Sequence, residues 1–102
     1  MNSKKAASLI GISMKAGKVA SGEFATEKAV KQGLARLVVA AEDASGNTKK
    51  KFENMCTYYR VPFRIFMDKV SLGKAIGREY RACLAVLDEN LAEAIMKQLN
   101  EQ

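Results

Sequence analysis

Residues 37–41, Leu-Val-Val-Ala-Ala, form an unbroken apolar run with paired valines, followed at once by Glu42-Asp43 and then by Ala-Ser-Gly-Asn-Thr. A run without polar alternation suits a short strand covered on both faces. The five residues after the two acids bond readily to their own backbone and read as a loop. Ser45 or Asn47 in that loop can cap a helix, and Lys49, Lys50 and Lys51 open it. This one stretch therefore requires a sheet buried on both sides, with a polar loop and a helix N-terminus at one end of it. In open α/β sheets such an end is where ligands bind. The neighbouring lysines predict an anionic ligand.

The rest of the chain alternates in the same way. Ala6, Leu9, Ile10 and Met14 recur at helical spacing over residues 3–14, with Asn2 or Ser3 as the cap and Gly17 as the stop. Residues 18–20 read as a short extended piece. Ser21-Gly22 then turn the chain into a second helix over 23–32, which Gly33 ends. Glu23 in its first turn and Lys31 in its last suit the helix dipole. After a strand at 36–41, a third helix over 48–59 turns Phe52, Met55, Cys56 and Tyr59 inward, and Val61-Pro62 stops it. Residues 63–66 read as a strand, and Asp68 caps a short helix carrying Leu72 and Ile76. Residues 82–87 form an apolar strand, and Asp88 caps a final helix with Leu91, Ile95 and Leu99 on one face. Strict alternation, αβαβαβαβα, predicts an α/β protein: a three-layer α/β/α sandwich of about four strands in a mixed sheet, with helices on both faces. The direction of the first strand stays open. The 102 residues make one domain.

Charge narrows the function. The net charge is +6, and its distribution is uneven. Residues 1–22 carry Lys4, Lys5, Lys15 and Lys18 and no acid. Residues 60–81 hold six cations against Asp68 and Glu79, while the last fifteen residues are acidic, through Asp88, Glu89, Glu93 and Glu101. A polarised basic surface attracts a polyanion. An enzyme is a poor fit. The chain has no histidine, so the commonest general base is missing. Adjacent residues on a strand face opposite ways, so Glu42 and Asp43 would not cooperate; they could instead cap the next helix or orient lysines. The stretch from Gly11 to Lys18 mimics a phosphate loop, but five residues separate its glycines and Val19 stands where Ser or Thr is required. Cys56 and Cys83 each lie in an apolar pattern and read as buried thiols rather than metal ligands. No metal and no cofactor are expected. No apolar run reaches the ~18 residues of a membrane helix. The N-terminal apolar stretch is broken by Ser8, Gly11 and Ser13, which reads as a helix rather than a signal peptide, so a cytoplasmic location is expected.

Four stretches carry a resemblance. They are Ala16-Gly17-Lys18-Val19-Ala20-Ser21-Gly22; Lys28-Ala29-Val30 followed by residues 33–45; Cys56 with Val61-Pro62; and Leu72-Gly73-Lys74-Ala75-Ile76-Gly77. In order and spacing, from about residue 5 to residue 97, they resemble the bacterial branch of the kink-turn-binding ribosomal protein family, which includes ribosomal proteins L7Ae, L30e and S12e. The resemblance implies a single RNA-binding domain over 1–102 that grips folded RNA from three places at one end of its sheet. By position these are Gly22, Glu23, Phe24, Ala25 and Lys28; the loop 42–48; and Arg78, Glu79, Tyr80, Arg81 and Ala82. The archaeal kink-turn binders carry Asn-Glu where this chain has Phe24-Ala25. Neither residue here can hydrogen-bond a base edge. Either the RNA differs, or phosphate contacts and stacking carry the affinity.

The residues support an RNA contact by themselves. A helix N-terminus suits phosphate, Gly22 lets a backbone approach closely, and Lys15, Lys18 and Lys28 are expected beside it. Phe24 either packs inward or stands free to stack on an unpaired base. Tyr80 between Arg78 and Arg81 has the basic-aromatic pattern that grips nucleic acid. Lys49, with its neighbours, is either a solvated face or a phosphate contact. The expected RNA-binding set is thus Lys18, Gly22, Glu23, Phe24, Lys28, Asn47, Lys49, Arg78, Tyr80 and Arg81. The expected partner is a structured RNA, ribosomal or another non-coding RNA, with the ribosome itself as a further candidate. The protein is expected to be a monomer without membrane contact. The alternative is a protein–protein adaptor on the same fold, with an apolar interface around Phe24 and Tyr80.

Overall fold

The computed structural model describes residues 2–100. Its elements in chain order are α1 (Ser3–Lys15), β1 (Val19–Ser21), α2 (Glu23–Lys31), β2 (Leu37–Ala40), α3 (Gly46–Tyr59), β3 (Phe63–Ile65), α4 (Lys69–Ala75), β4 (Cys83–Val86) and α5 (Glu89–Asn100). The helices start where side chains supply caps. Asn2 accepts the Lys5 N–H at 3.0 Å, Ser45 the Thr48 N–H at 3.1 Å, Asp68 the Ser71 N–H at 2.7 Å and Asp88 the Leu91 N–H at 2.9 Å. Because Ser45 rather than Asn47 is the cap, α3 begins two residues earlier than its apolar pattern predicts. It ends at Arg60, which takes the left-handed conformation at φ 60° two residues before Pro62.

The four strands form one mixed sheet in the order β1-β4-β2-β3. β4 runs antiparallel to both neighbours, with Val19 opposite Val86 and Val38 opposite Ala85, while β3 runs parallel to β2. Every residue of the central strands β2 and β4 is buried, as an apolar run without alternation requires. Their side chains divide between two cores. Leu37, Val39, Leu84 and Val86 pack under α1, α4 and α5. Val38, Ala40, Cys83 and Ala85 pack under α2 and α3, with Phe52 and Cys56. This is the three-layer α/β/α sandwich. Tyr59 does not join the inner face of α3: it is 41% exposed. The helix ends one residue later, and Val61 and Phe63 fill that part of the core instead. The acidic C-terminal stretch is described as far as Asn100, and Glu101 lies outside the described residues.

The topology positions the site. β1, β2 and β3 all end on the same side of the sheet, and β4 begins there. Segments 21–25, 41–48, 66–69 and 78–82 therefore converge at one end.

Candidate nucleic-acid interface

At that end α2 opens on Gly22, with φ 92° and no side-chain cap. The Gly22 N–H donates to the Cys83 carbonyl at 2.9 Å, and its own carbonyl accepts the Thr26 N–H at 3.0 Å. Nothing lies within 4 Å of where a Cβ would stand. The need for glycine is thus conformational, and the space before the helix is open. Phe24 follows, 83% exposed, so the inward alternative is excluded. Lys28 is exposed one turn further along the same helix face. Tyr80 stands 60% exposed across from Phe24. Ser21, Gly22, Phe24, Tyr80, Arg81 and Ala82 line an open groove of about 470 Å3 between the two rings.

The converging segments are tied to one another. The Arg81 guanidinium donates through Nε to Ser21 Oγ at 3.3 Å and through Nη1 to the Tyr80 carbonyl at 2.8 Å. The Arg81 N–H donates to the Lys69 carbonyl at 3.0 Å, and the Lys69 N–H donates to Asp43 Oδ1 at 2.9 Å. Asp43 thus caps a helix, as one reading of the acids expects, but the helix is α4 rather than α3. The Thr48 hydroxyl donates to Glu23 Oε2 at 3.4 Å, and Ser45 Oγ donates to that hydroxyl at 2.9 Å. Glu23 therefore links the starts of α2 and α3. The Lys49 ammonium donates to the Glu42 carbonyl at 2.9 Å and steadies the loop after β2. Lys51 pairs with Glu27 at 2.8 Å, joining α3 to α2.

The structure brings Gly22, Glu23, Phe24, Lys28, Asn47, Lys49, Arg78, Tyr80 and Arg81 to this end of the molecule. Asn47 is exposed in the first turn of α3, and Arg78 is exposed in the loop before β4. Lys18 is not part of the cluster. Its carbonyl accepts the Leu87 N–H at 2.8 Å where β4 finishes, so it sits at the opposite end of β1. The three residues of β1 separate Lys18 from Gly22, four steps or about 13 Å at ~3.3 Å per residue. Lys15, the last residue of α1, lies at the same end as Lys18, whose N–H donates to the Ser13 carbonyl at 2.9 Å. Closeness in sequence misled here because an intervening strand carries the chain across the whole sheet.

Gly73 is a positioning residue that pattern reading passed over. A Cβ on it would lie 2.4 Å from the Tyr80 Cα, so the loop before β4 rests directly on the bare backbone of α4. The signal was present in the sequence: glycine inside a seven-residue helix weakens it unless something packs there.

Burial pushes both buried thiols up, to about 11 for Cys56 and about 11 for Cys83. Cys83 Sγ lies 3.7 Å from the Thr26 hydroxyl, inside the core rather than on the interface. Among the described residues no group of His, Cys, Asp or Glu could hold a metal ion, and no helix is long and apolar enough to cross a membrane.

The fold is that of a small α/β/α protein whose loops meet at one end of a mixed sheet. Residues 4–96 match the model of the ribosomal protein L7Ae/L30e/S12e/Gadd45 family, and the chain belongs to that family. It is 39% identical over 92 residues, 90% of this chain and 92% of the relative, to the RNA-binding protein YlxQ of Bacillus subtilis. It is 33% identical over 76 residues, 74% of this chain and 72% of the relative, to the large ribosomal subunit protein eL30 of Trypanosoma brucei brucei. Among solved structures it resembles a protein of unknown function from Bacillus halodurans C, with a TM-score of 0.92 and 32% identity over 95% of this chain and 98% of that one.

Proposed function

We propose that the chain is a non-enzymatic RNA-binding protein that grips a structured, kink-turn-like RNA, in the ribosome or in a ribosome-associated particle. The observation that carries this reading is the laced platform. Three loops distant in sequence meet around an uncapped helix N-terminus, hold each other by hydrogen bonds, and leave Phe24 and Tyr80 in solvent. Such a site needs little ordering when RNA arrives, which favours affinity. The names of the relatives, an RNA-binding protein and a ribosomal protein, point the same way. In this reading the first-turn N–H groups of α2 and the Lys28 and Arg81 cations meet phosphates, and Phe24 and Tyr80 stack on unpaired bases. Stacking then stands where the Asn-Glu pair of the archaeal kink-turn binders would hydrogen-bond. The protein acts as a monomer in the cytoplasm.

Crosslinking in cells, with sequencing of the bound RNA, names the target. Titration of the purified protein against a kink-turn RNA at two salt concentrations tests the mode. Charge reversal at Lys28 together with Arg81 is expected to weaken binding by more than about tenfold, as a loss of two phosphate contacts implies. Unchanged affinity in a folded double variant rules this surface out. Affinity that ignores salt favours an apolar protein interface instead.

A further inference from the structure

We infer that a single-stranded segment of the bound RNA leaves the platform along the outer face of α2 and ends against the exposed Tyr58–Tyr59 pair at the far end of α3. The inference rests on the RNA-binding reading above and adds a second contact surface to it. α2 and α3 each follow a strand that ends at the platform, so both helices run away from it side by side. Phe24 stands at the near end. Tyr58 and Tyr59 stand at the far end, 80% and 41% exposed, their rings 4.9 Å apart at 76°. Tyr58 thus stands mostly in solvent, in edge-to-face contact with its neighbour. Exposed aromatic faces joined by cations are what sequence-tolerant single-strand binding uses.

The surface between the aromatics is a shallow groove of about 300 Å3 lined by Phe24, Glu27, Lys28, Lys31 and Gln32. Its one carboxylate is already neutralised. Glu27 lies 2.8 Å from Lys31 and 2.8 Å from Lys51, and these two ammonium groups hold it down to about 2. Lys51 stands on α3 two turns before Tyr58, so its 2.8 Å bridge to Glu27 joins the groove to the helix that carries the aromatic pair. On α3 the single acid, Glu53, stands against Lys49, Lys50 and Lys51, and exposed Arg60 follows the tyrosines. Phe24 to Lys31 spans about 10 Å of α2 at 1.5 Å per residue, and Gly46 to Tyr58 about 18 Å of α3. Cations separate the aromatics, so the face is a charged track rather than the contiguous apolar patch a protein partner would need.

The test compares a kink-turn RNA with the same RNA carrying an unstructured uridine tail of about ten nucleotides, appended in turn to its 5′ and 3′ ends. The wild-type protein is expected to bind one tailed RNA at least about fivefold tighter than the tail-less one, the effect of stacking a single base. Tyr58→Ala with Tyr59→Ala is expected to abolish that gain and to leave tail-less affinity unchanged. Tyr58→Phe with Tyr59→Phe is expected to keep the gain. Tail-less RNA that binds while neither tail adds affinity overturns the inference and leaves the platform reading standing. A tail gain that survives the alanine double variant also overturns it. Failure of every RNA to bind removes the platform reading together with this one.

Discussion

Phe24 and Cys83 stand at the two extremes of the site, one in solvent and the other in the core beneath it. Phe24 contributes little to the fold, so Phe24→Ala is expected to leave stability within about 0.5 kcal/mol by urea denaturation. The same change is expected to reduce RNA affinity by roughly 1–3 kcal/mol, the usual worth of a stacked base. A variant that unfolds early, or binds RNA as well as the parent, contradicts this division of roles. Cys56 and Cys83 behave in the opposite way. Their thiols rise from 9.0 to about 11 on folding because burial disfavours the thiolate. Below about pH 9 both the folded and the unfolded chain keep the thiol protons, and stability does not depend on them. Between about 9 and 11 the unfolded chain loses those protons first, so stability is expected to fall across that window. Replacing both residues with Ser or Ala should flatten that part of a pH-dependent urea series. Cysteine burial was legible from sequence because Cys83 lies in an apolar run and Cys56 on an apolar face at helical spacing. The exposure of Phe24 was not, since an aromatic in the first turn of a helix fits either face.

The elements show the same contrast between local and distant causes. Caps and stops are local, and the positions of Asn2, Ser45, Asp68, Asp88, Gly33 and Pro62 marked the helix ends to within about two residues. The joins between elements are not local. Gly73 is the clearest case, because its role depends on a loop that returns to it. Gly73→Ala should strengthen α4 by propensity, yet the added methyl meets the Tyr80 backbone at 2.4 Å. Backbone cannot swing aside as a side-chain end can. The variant is therefore expected to lose about 1–3 kcal/mol of stability. It should also shift the amide resonances of Tyr80 and Arg81, since their loop must move. A neutral or stabilising effect would show that this loop yields freely, and with it that the platform is not preformed.

At the scale of the molecule, the net charge of +6 and the single platform make a salt response the expected signature of function. The logarithm of affinity for RNA should fall linearly with the logarithm of salt concentration, with a slope near 0.7 per phosphate contacted on a single strand. A flat line would return the basic surface to a role in solubility. By itself the sequence determined the element order, the three layers and which loops follow the strands. Those properties rest on hydrophobic periodicity and on caps within a few residues of each helix end. Only the tertiary structure decided the strand order, the antiparallel setting of β4, the removal of Lys18 to the far end and the exposure of Phe24 and Tyr80. These depend on contacts between residues far apart in the chain, such as Asp43 with Lys69 and Ser21 with Arg81. No short-range pattern encodes such pairs. They form only once the two cores have closed around the sheet and brought the loops together.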